Sequence, residues 1–320
     1  MKNNKIKLAI IVVAVIVLVI GGFFGYKALT CNKDKKNEIS PLLYEVTKEG
    51  SNNKMYLFGS IHVTNKADMV FPEYVMKAYN DSHYLACEFD SIAYMENQEK
   101  VVEDAMKMLY QDGTTIKDHL NEDTYNKLVD FLTKKESYAN AFDRYKPYFF
   151  VSLFSNLIAK DAKIGMVGGV DEYFETKAHE DKKTILEVES YDYQINIFEE
   201  LSDEFYDLVI MDEINNYDES VEALKELYNA WKSGNEENLI KYGNEELESE
   251  DSYTDLQKSY IEDFNKKLIV ERNNGMVKKA IDYFNKDQDV FFMVGALHIV
   301  GDTGLAKQLK EQGFNVKKVS

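Results

Sequence analysis

The sequence predicts an α/β protein: a mixed central sheet with two similar halves, each bearing a Gly-x-x-His (GxxH) motif, a large helical section inserted between them, and one N-terminal transmembrane helix ahead of the body. Three observations lead there. The apolar run Val290 to Val294 reads as a buried strand that stops at Gly295, with His298 three residues on, where a loop leaves the sheet. Near the other end, Met55 to Phe58 lead into Gly59, Ser60, Ile61, His62 and Val63, which repeats the frame of apolar, Gly, small, apolar, His, β-branched. Between the two motifs the apolar spacing is mostly helical. Only five histidines exist in the chain, and two of them occupy this frame, so one site built by two half-motifs is expected.

The chain of 320 residues is 45% hydrophobic, with 22 Tyr and 18 Phe, enough for a large core. Its net charge of −18 argues against nucleic acid and anionic lipid, both of which need a basic surface. After a tail of residues 1–7, Leu8 to Tyr26 carries no charge and is about long enough to cross a hydrocarbon core. It reads as a membrane segment or a signal sequence. No small-x-small cleavage site follows, and Leu29-Thr30 ahead of Cys31 is a poor lipidation signal, so an uncleaved anchor over 8–26 is expected. Lysines flank it on both sides, and the short N-terminal tail and large acidic body place the body outside a cell membrane crossed once. Residues 27–41 form a polar tether, and 42–320 the body. Cys87 is the body's one cysteine, so no disulfide framework exists within it.

Leu42 to Thr47 and Met55 to Phe58 flank a polar, glycine-containing stretch and read as a hairpin. Phe71-Pro72-Glu73 opens a helix that ends near Asp81-Ser82. Tyr84 to Cys87 is a strand with Glu88 and Asp90 at its exit. If it lies parallel to the strand before His62, both side chains sit on one edge, where open α/β sheets bind ligands. From Glu96 to about Phe154 the spacing is helical, with Val102, Met106 and Leu109 on one stripe and Tyr125, Leu128, Val129 and Leu132 on another. Asp171 suits the N-cap of a helix over Glu172 to Glu180. Thr184 to Val188 is a fourth strand, with Glu187 and Glu189 near its end, and Ser190 suits the cap of the next helix. Ile195 to Phe264 is acidic and helical and reads as solvated faces. A helix over Lys267 to Phe284, the strand to Val294, a helix over Thr303 to Gln312 and a last strand through Val316 complete the body.

Two neutral imidazoles, His62 and His298, with one carboxylate at a sheet edge make a three-ligand set with open positions, which suits a divalent metal that activates water. Glu88 is the first choice of carboxylate because it follows its strand directly; Glu189 is second, with Asp90 and Glu187 behind. His83, His119 and His179 read as surface residues. Of 38 basic residues only Arg144 and Arg272 are arginine, so a guanidinium is expected to matter at both. Leu268, Arg272, Met276 and Ala280 share one helical stripe, which turns Arg272 inward. There it either clamps an anion or pairs with a buried glutamate. Gly59 and Gly295 either end strands or allow close backbone approach.

Taken together, Leu57 to Val63, the Glu88 strand, Arg144 to Tyr148, Gly169-Val170-Asp171, Glu189, Glu271-Arg272-Asn273 and Val294 to His298 resemble the TraB/PrgY/GumN family, which includes the Tiki proteases, over about Leu42 to Lys318. The resemblance implies a membrane-tethered or exported metal-dependent peptidase acting on peptide or protein signals. It implies manganese or cobalt as the ion, with zinc also admissible, and catalytic roles for His62, Glu88, Arg272, His298 and Glu189. Because some members of this family block peptide pheromones, a peptide-binding or sequestering module without turnover is the alternative.

Overall fold

Six strands form one sheet: β1 (Leu43–Thr47), β2 (Met55–Ser60), β3 (Tyr84–Cys87), β4 (Thr184–Glu187), β5 (Val290–Gly295) and β6 (Asn315–Lys318). The computed structural model describes residues 39–165, 169–243, 253–286 and 289–319. The expected anchor, 8–26, and Cys31 lie outside them. Among the described residues no helix is long and apolar enough to cross a membrane. The strand order is β4-β3-β5-β2-β1-β6. β4, β3, β5 and β2 are mutually parallel, whereas β1 pairs antiparallel with both β2 and β6. The expected hairpin and all the expected strands are therefore present.

The arrangement brings four strand ends to one edge. β2 and β3 are parallel, as the site requires, but β5 lies between them and pairs with both. This explains the unbroken apolar run of β5, whose residues Val290 to Val294 are all buried, since a central parallel strand is covered on both faces. Side chains alternate accordingly. Phe291 packs with Phe58, Tyr79 and Phe174 on one face, and Phe292 meets Tyr283 on the other. Helices Glu73–Asp81 and Val170–Glu180 supply the first layer; Arg272–Asn285 supplies the second. The two motifs lie side by side on adjacent strands, offset by one residue, with Ser60 rather than Gly59 opposite Gly295. Their exits also differ: His62 follows β2 in irregular chain, and His298 sits on a helical turn, Ala296–Ile299. The halves are similar in sequence and unlike in local shape.

Two local expectations are corrected. The helix over 267–284 is longer, running from Asp255–Asn265 through a π-helical turn, Lys266–Glu271, into Arg272–Asn285. The helix expected over Glu172 to Glu180 starts at Val170 with Gly169 as its cap, so Asp171 lies inside the first turn and its carboxylate is used elsewhere. The helical spacing is realised in helix Gln98–Lys107, and its docking is unusual. Its apolar stripe faces outward, with Val102 58% and Met106 49% exposed, while Asp104 is only 5% exposed. Asp104 binds Lys100 and Lys107 at 2.9 Å each and accepts from the Tyr94 hydroxyl at 3.2 Å; Lys100 also reaches Asp192. A charge network, rather than apolar burial, docks this helix.

That docking sets an expectation for stability. Val102→Lys should change the unfolding free energy by no more than about 0.5 kcal/mol, as exposed sites do, whereas Leu132→Ala, at a fully buried position, should cost about 2–5 kcal/mol. Chemical denaturation of the two variants checks it, and a large loss in Val102→Lys would restore the apolar docking.

Candidate functional site

The parallel strand ends deliver His62, Glu88, Glu189 and His298 to one edge, and the helix that follows the π-helical turn brings in Arg272. At the floor, Arg272 is 2% exposed and Glu88 5%. Arg272 Nη2 donates to Glu88 Oε2 at 2.7 Å and to Glu189 Oε2 at 2.8 Å, and Nε donates to Glu189 Oε1 at 3.0 Å. Gln194 Nε2 bridges the same two carboxylates at 2.9 and 3.1 Å. The remaining oxygen, Glu88 Oε1, accepts the Gly295 backbone N–H at 3.0 Å. Burial works to raise the Glu88 pKa, but the Arg272 guanidinium, the two histidines and the Gly295 N–H together outweigh it and hold it down to about 2. Of the two readings of Arg272, the pair to a buried glutamate is the one realised, with two glutamates instead of one.

The two histidines are backed differently. His298 Nδ1 lies 2.7 Å from Asn273 Oδ1, and Asn273 Nδ2 donates to the Thr303 carbonyl at 2.9 Å. The amide oxygen can only accept, so His298 carries its proton on Nδ1 and keeps a lone pair on Nε2. Burial, reinforced by Arg272, pushes its pKa down to about 3. His62 Nδ1 instead approaches Asp171 Oδ2 to 2.8 Å. The N–H is not aimed along that line, so the contact is an ion-pair approach rather than a well-formed hydrogen bond. Burial alone would lower the His62 pKa; the Asp171 carboxylate outweighs it and raises the pKa to about 9. Ser60 Oγ donates to the other Asp171 oxygen at 2.6 Å.

The chain around His62 is held on three sides. Val170 N–H donates to the Ile61 carbonyl at 3.0 Å, and Thr64 N–H to the Gly165 carbonyl at 3.0 Å. The only tryptophan, Trp231, donates Nε1 to the Gly59 carbonyl at 3.0 Å, and the Tyr228 hydroxyl binds Thr64 and the Asn65 N–H. Gly169 runs so close that a Cβ there would stand 2.5 Å from the His62 carbonyl oxygen. Gly59 likewise allows close approach, with 3.0 Å from its Cβ position to Ala296 Cβ. Gly295 contributes its N–H instead, since a Cβ there would meet only ordinary contacts.

Each candidate from the sequence can now be placed. His62, Glu88, Glu189, Arg272 and His298 come together. Asp90 and Glu187 do not: Asp90 caps a helix and binds His179 at 2.9 Å, and Glu187 accepts the Asp90 N–H. His83 is exposed, but His119 is half-buried, stacked on Tyr110 at 4.2 Å and paired with Asp203. Arg144 is exposed and makes no ion pair among the described residues, so of the two arginines only Arg272 is drawn into this cluster. Asp171, Asn273, Gln194 and Ser60 were missed as parts of the site. Asn273 was open to discovery, because Ile269, Arg272, Asn273 and Met276 form one wide helical stripe; nothing in the sequence marked Gln194.

This constellation occupies a chain that matches the TraB/PrgY/gumN family over residues 42–318. The chain belongs to that family. No curated protein and no solved structure matches it. The match spans every strand of the sheet, so in this TraB/PrgY/gumN chain the family region and the body that forms the site are the same unit.

The family resemblance implies a metal, and the donors can be tested against one. His62 and His298 line a common cavity, and in each ring Nε2 has no protein partner among the described residues, while Nδ1 faces an acceptor. That is the backing that metal-ligating histidines use. Glu88 Oε2 is fully engaged, but Oε1 accepts one bond and retains a lone pair. The donor chemistry fits a divalent ion at His62, His298 and Glu88. The spacing is less complete: among the described residues no three His, Cys, Asp or Glu side chains stand as a ready metal-binding group.

In metal-free protein the two histidines should limit stability from opposite sides of pH 6.5, the ordinary imidazole value. Below it, the unfolded His298 takes a proton that the fold refuses until about pH 3, so stability falls with falling pH. Above it, the folded His62 holds a proton until about pH 9 that the unfolded chain has released, so stability falls with rising pH. Denaturation from pH 4 to 9 should therefore show His298→Gln losing the acid-side part of the slope and His62→Gln the alkaline-side part. Identical profiles for both variants and the parent would refute the asymmetry.

Proposed function

We propose that the chain is a membrane-anchored, metal-dependent hydrolase, a peptidase acting on peptide or protein substrates outside the membrane, with 8–26 as its single span. The observation that carries this reading is the pair of cavity-lining imidazoles, with His298 Nδ1 bonded to Asn273, His62 Nδ1 facing Asp171, and no protein partner for either Nε2 among the described residues. His62, His298 and Glu88 would hold the ion. Manganese or cobalt, or zinc, when bound, supplies a Lewis acid that makes water nucleophilic near neutral pH.

The rest of the chemistry falls to the chain. Asn273 fixes the His298 tautomer, and Asp171, itself held by Ser60, positions His62. Arg272, Gln194 and the Gly295 N–H keep Glu88 ionised and in place. Apolar walls around the cavity limit water beside the reacting groups. Arg272 reaches the cavity lining, but its Nε and Nη2 are committed to glutamates, so it acts here by positioning Glu88 and Glu189.

The alternative, a peptide-binding or sequestering module without turnover, is favoured by one observation: the floor charges satisfy one another without an ion. Metal content and cleavage separate the two. Full-length protein in detergent should hold stoichiometric metal and cleave members of a peptide library in a chelator-sensitive way. His62→Ala, His298→Ala and the double variant should each lose metal and nearly all cleavage alike, since a site missing one ligand is already broken. Stoichiometric metal in either single variant would count against the shared site, and tight peptide binding indifferent to chelator would favour the binding module.

A further inference from the structure

The cavity above the histidines has walls of a different origin from its floor. Leu224, Leu227 and Trp231 come from helix Tyr217–Ser233, Leu239 from the following helix, Ile269 from the π-helical turn and Leu297 from the turn after β5. The five residues other than Leu297 belong to the section between the two motifs. Leu224, Leu227, Trp231 and Leu239 are at most 3% exposed, whereas Ile269 and Leu297 are half-buried and form the rim. None of these six carries a charge or a hydrogen-bonding group free to receive one, because the Trp231 N–H is taken by Gly59.

We infer that this is a side-chain subsite: it takes an aliphatic side chain of valine or leucine size from a peptide, next to the bond presented to His62 and His298. The inference rests on the peptidase reading and adds the substrate class. Three features carry it. The walls are wholly apolar, so a charged or amide side chain entering them would lose its hydration without compensation. The cavity measures about 40 Å³, against roughly 10–15 Å³ for one water on that scale, which gives room for an isopropyl or isobutyl group and not for an indole. It also opens directly onto the charged floor, so a side chain seated in the walls fixes the adjoining backbone beside the imidazoles.

The protein carries its own reporter, because the one tryptophan of the chain lines the cavity. Full-length protein in detergent, with chelator present, is titrated with blocked tetrapeptides that differ in one side chain: Val, Leu, Phe, Asp or Lys. The Val and Leu peptides should change Trp231 emission saturably, with the others at least about tenfold weaker, the discrimination a pocket of this kind gives per misfit group. Ile269→Ala and, independently, Leu297→Ala should widen the rim and bring the Phe peptide to within about threefold of Leu. Equal response to all peptides, or variants that fold and keep the parent ranking, would overturn the subsite. Cleavage of the same peptides with manganese or cobalt separates the two readings. Chelator-sensitive cleavage without aliphatic preference sinks the subsite and leaves the peptidase standing, whereas aliphatic binding without cleavage sinks the peptidase and leaves the subsite.

Discussion

The site depends on Arg272, a buried guanidinium at its floor. Two glutamates from neighbouring parallel strands, Glu88 after β3 and Glu189 after β4, end beside one another, and the Glu189 N–H donates to the Glu88 carbonyl at 2.8 Å. Two buried carboxylates so placed repel, and each has lost its hydration. One guanidinium, spanning both through Nε and Nη2, resolves this in a way that a lysine ammonium could not, because the planar fork presents fixed donors to two partners at once. The pair also couples distant parts of the chain: the helix carrying Arg272 is thereby tied to the ends of β3 and β4. In a chain with only two arginines, one stands where that geometry is required.

The rest of the edge is arranged around this fixed floor. With Glu88 immobile, its Oε1 receives the Gly295 N–H, which sets where β5 ends and where the turn bearing His298 begins. The residue after Arg272, Asn273, then reaches His298 Nδ1 from the same helix. His62 belongs to a separate assembly, built by Asp171, Ser60, Gly169 and the Trp231 helix. The two motifs thus converge on one cavity from different local structures, one backed by a carboxylate and one by an amide. In metal-free protein the two imidazoles are therefore not equivalent: one favours the charged form and the other the neutral form.

Much of this was legible in the sequence, and the parts that were not have identifiable causes. Strands showed because buried parallel strands read as short apolar runs, and the inward face of Arg272 showed because Leu268, Met276 and Ala280 flank it at helical spacing. Its partners did not show. Glu88 and Glu189 lie 184 and 83 residues away, and periodicity carries no information across such separations. For a related reason the spacing showed helix Gln98–Lys107 but not how it docks. Spacing identifies an apolar stripe but not which side meets the body, and here the Lys100, Asp104, Lys107 and Asp192 network decides. Asp171 illustrates the same limit, since an Asp ahead of a helix fits a cap equally well, and only the close passage of Gly169 over the His62 backbone diverts its side chain to the imidazole.

The division of labour within the TraB/PrgY/gumN body follows from these contacts: strand ends place His62, Glu88, Glu189 and His298, flanking helices supply their polar partners, and the helical section supplies most of the apolar walls. This arrangement depends on the guanidinium holding two strand ends in register. The most direct test is a double-mutant cycle between Arg272→Met and Glu189→Gln, read as unfolding free energy in chelator. Arg272→Met alone should cost about 3–5 kcal/mol, as removal of one partner from a buried pair does. The cycle should give a coupling energy in the upper part of the roughly 0.5–3 kcal/mol seen for contacting residues. Two small, additive losses would contradict the central place given to this ion pair.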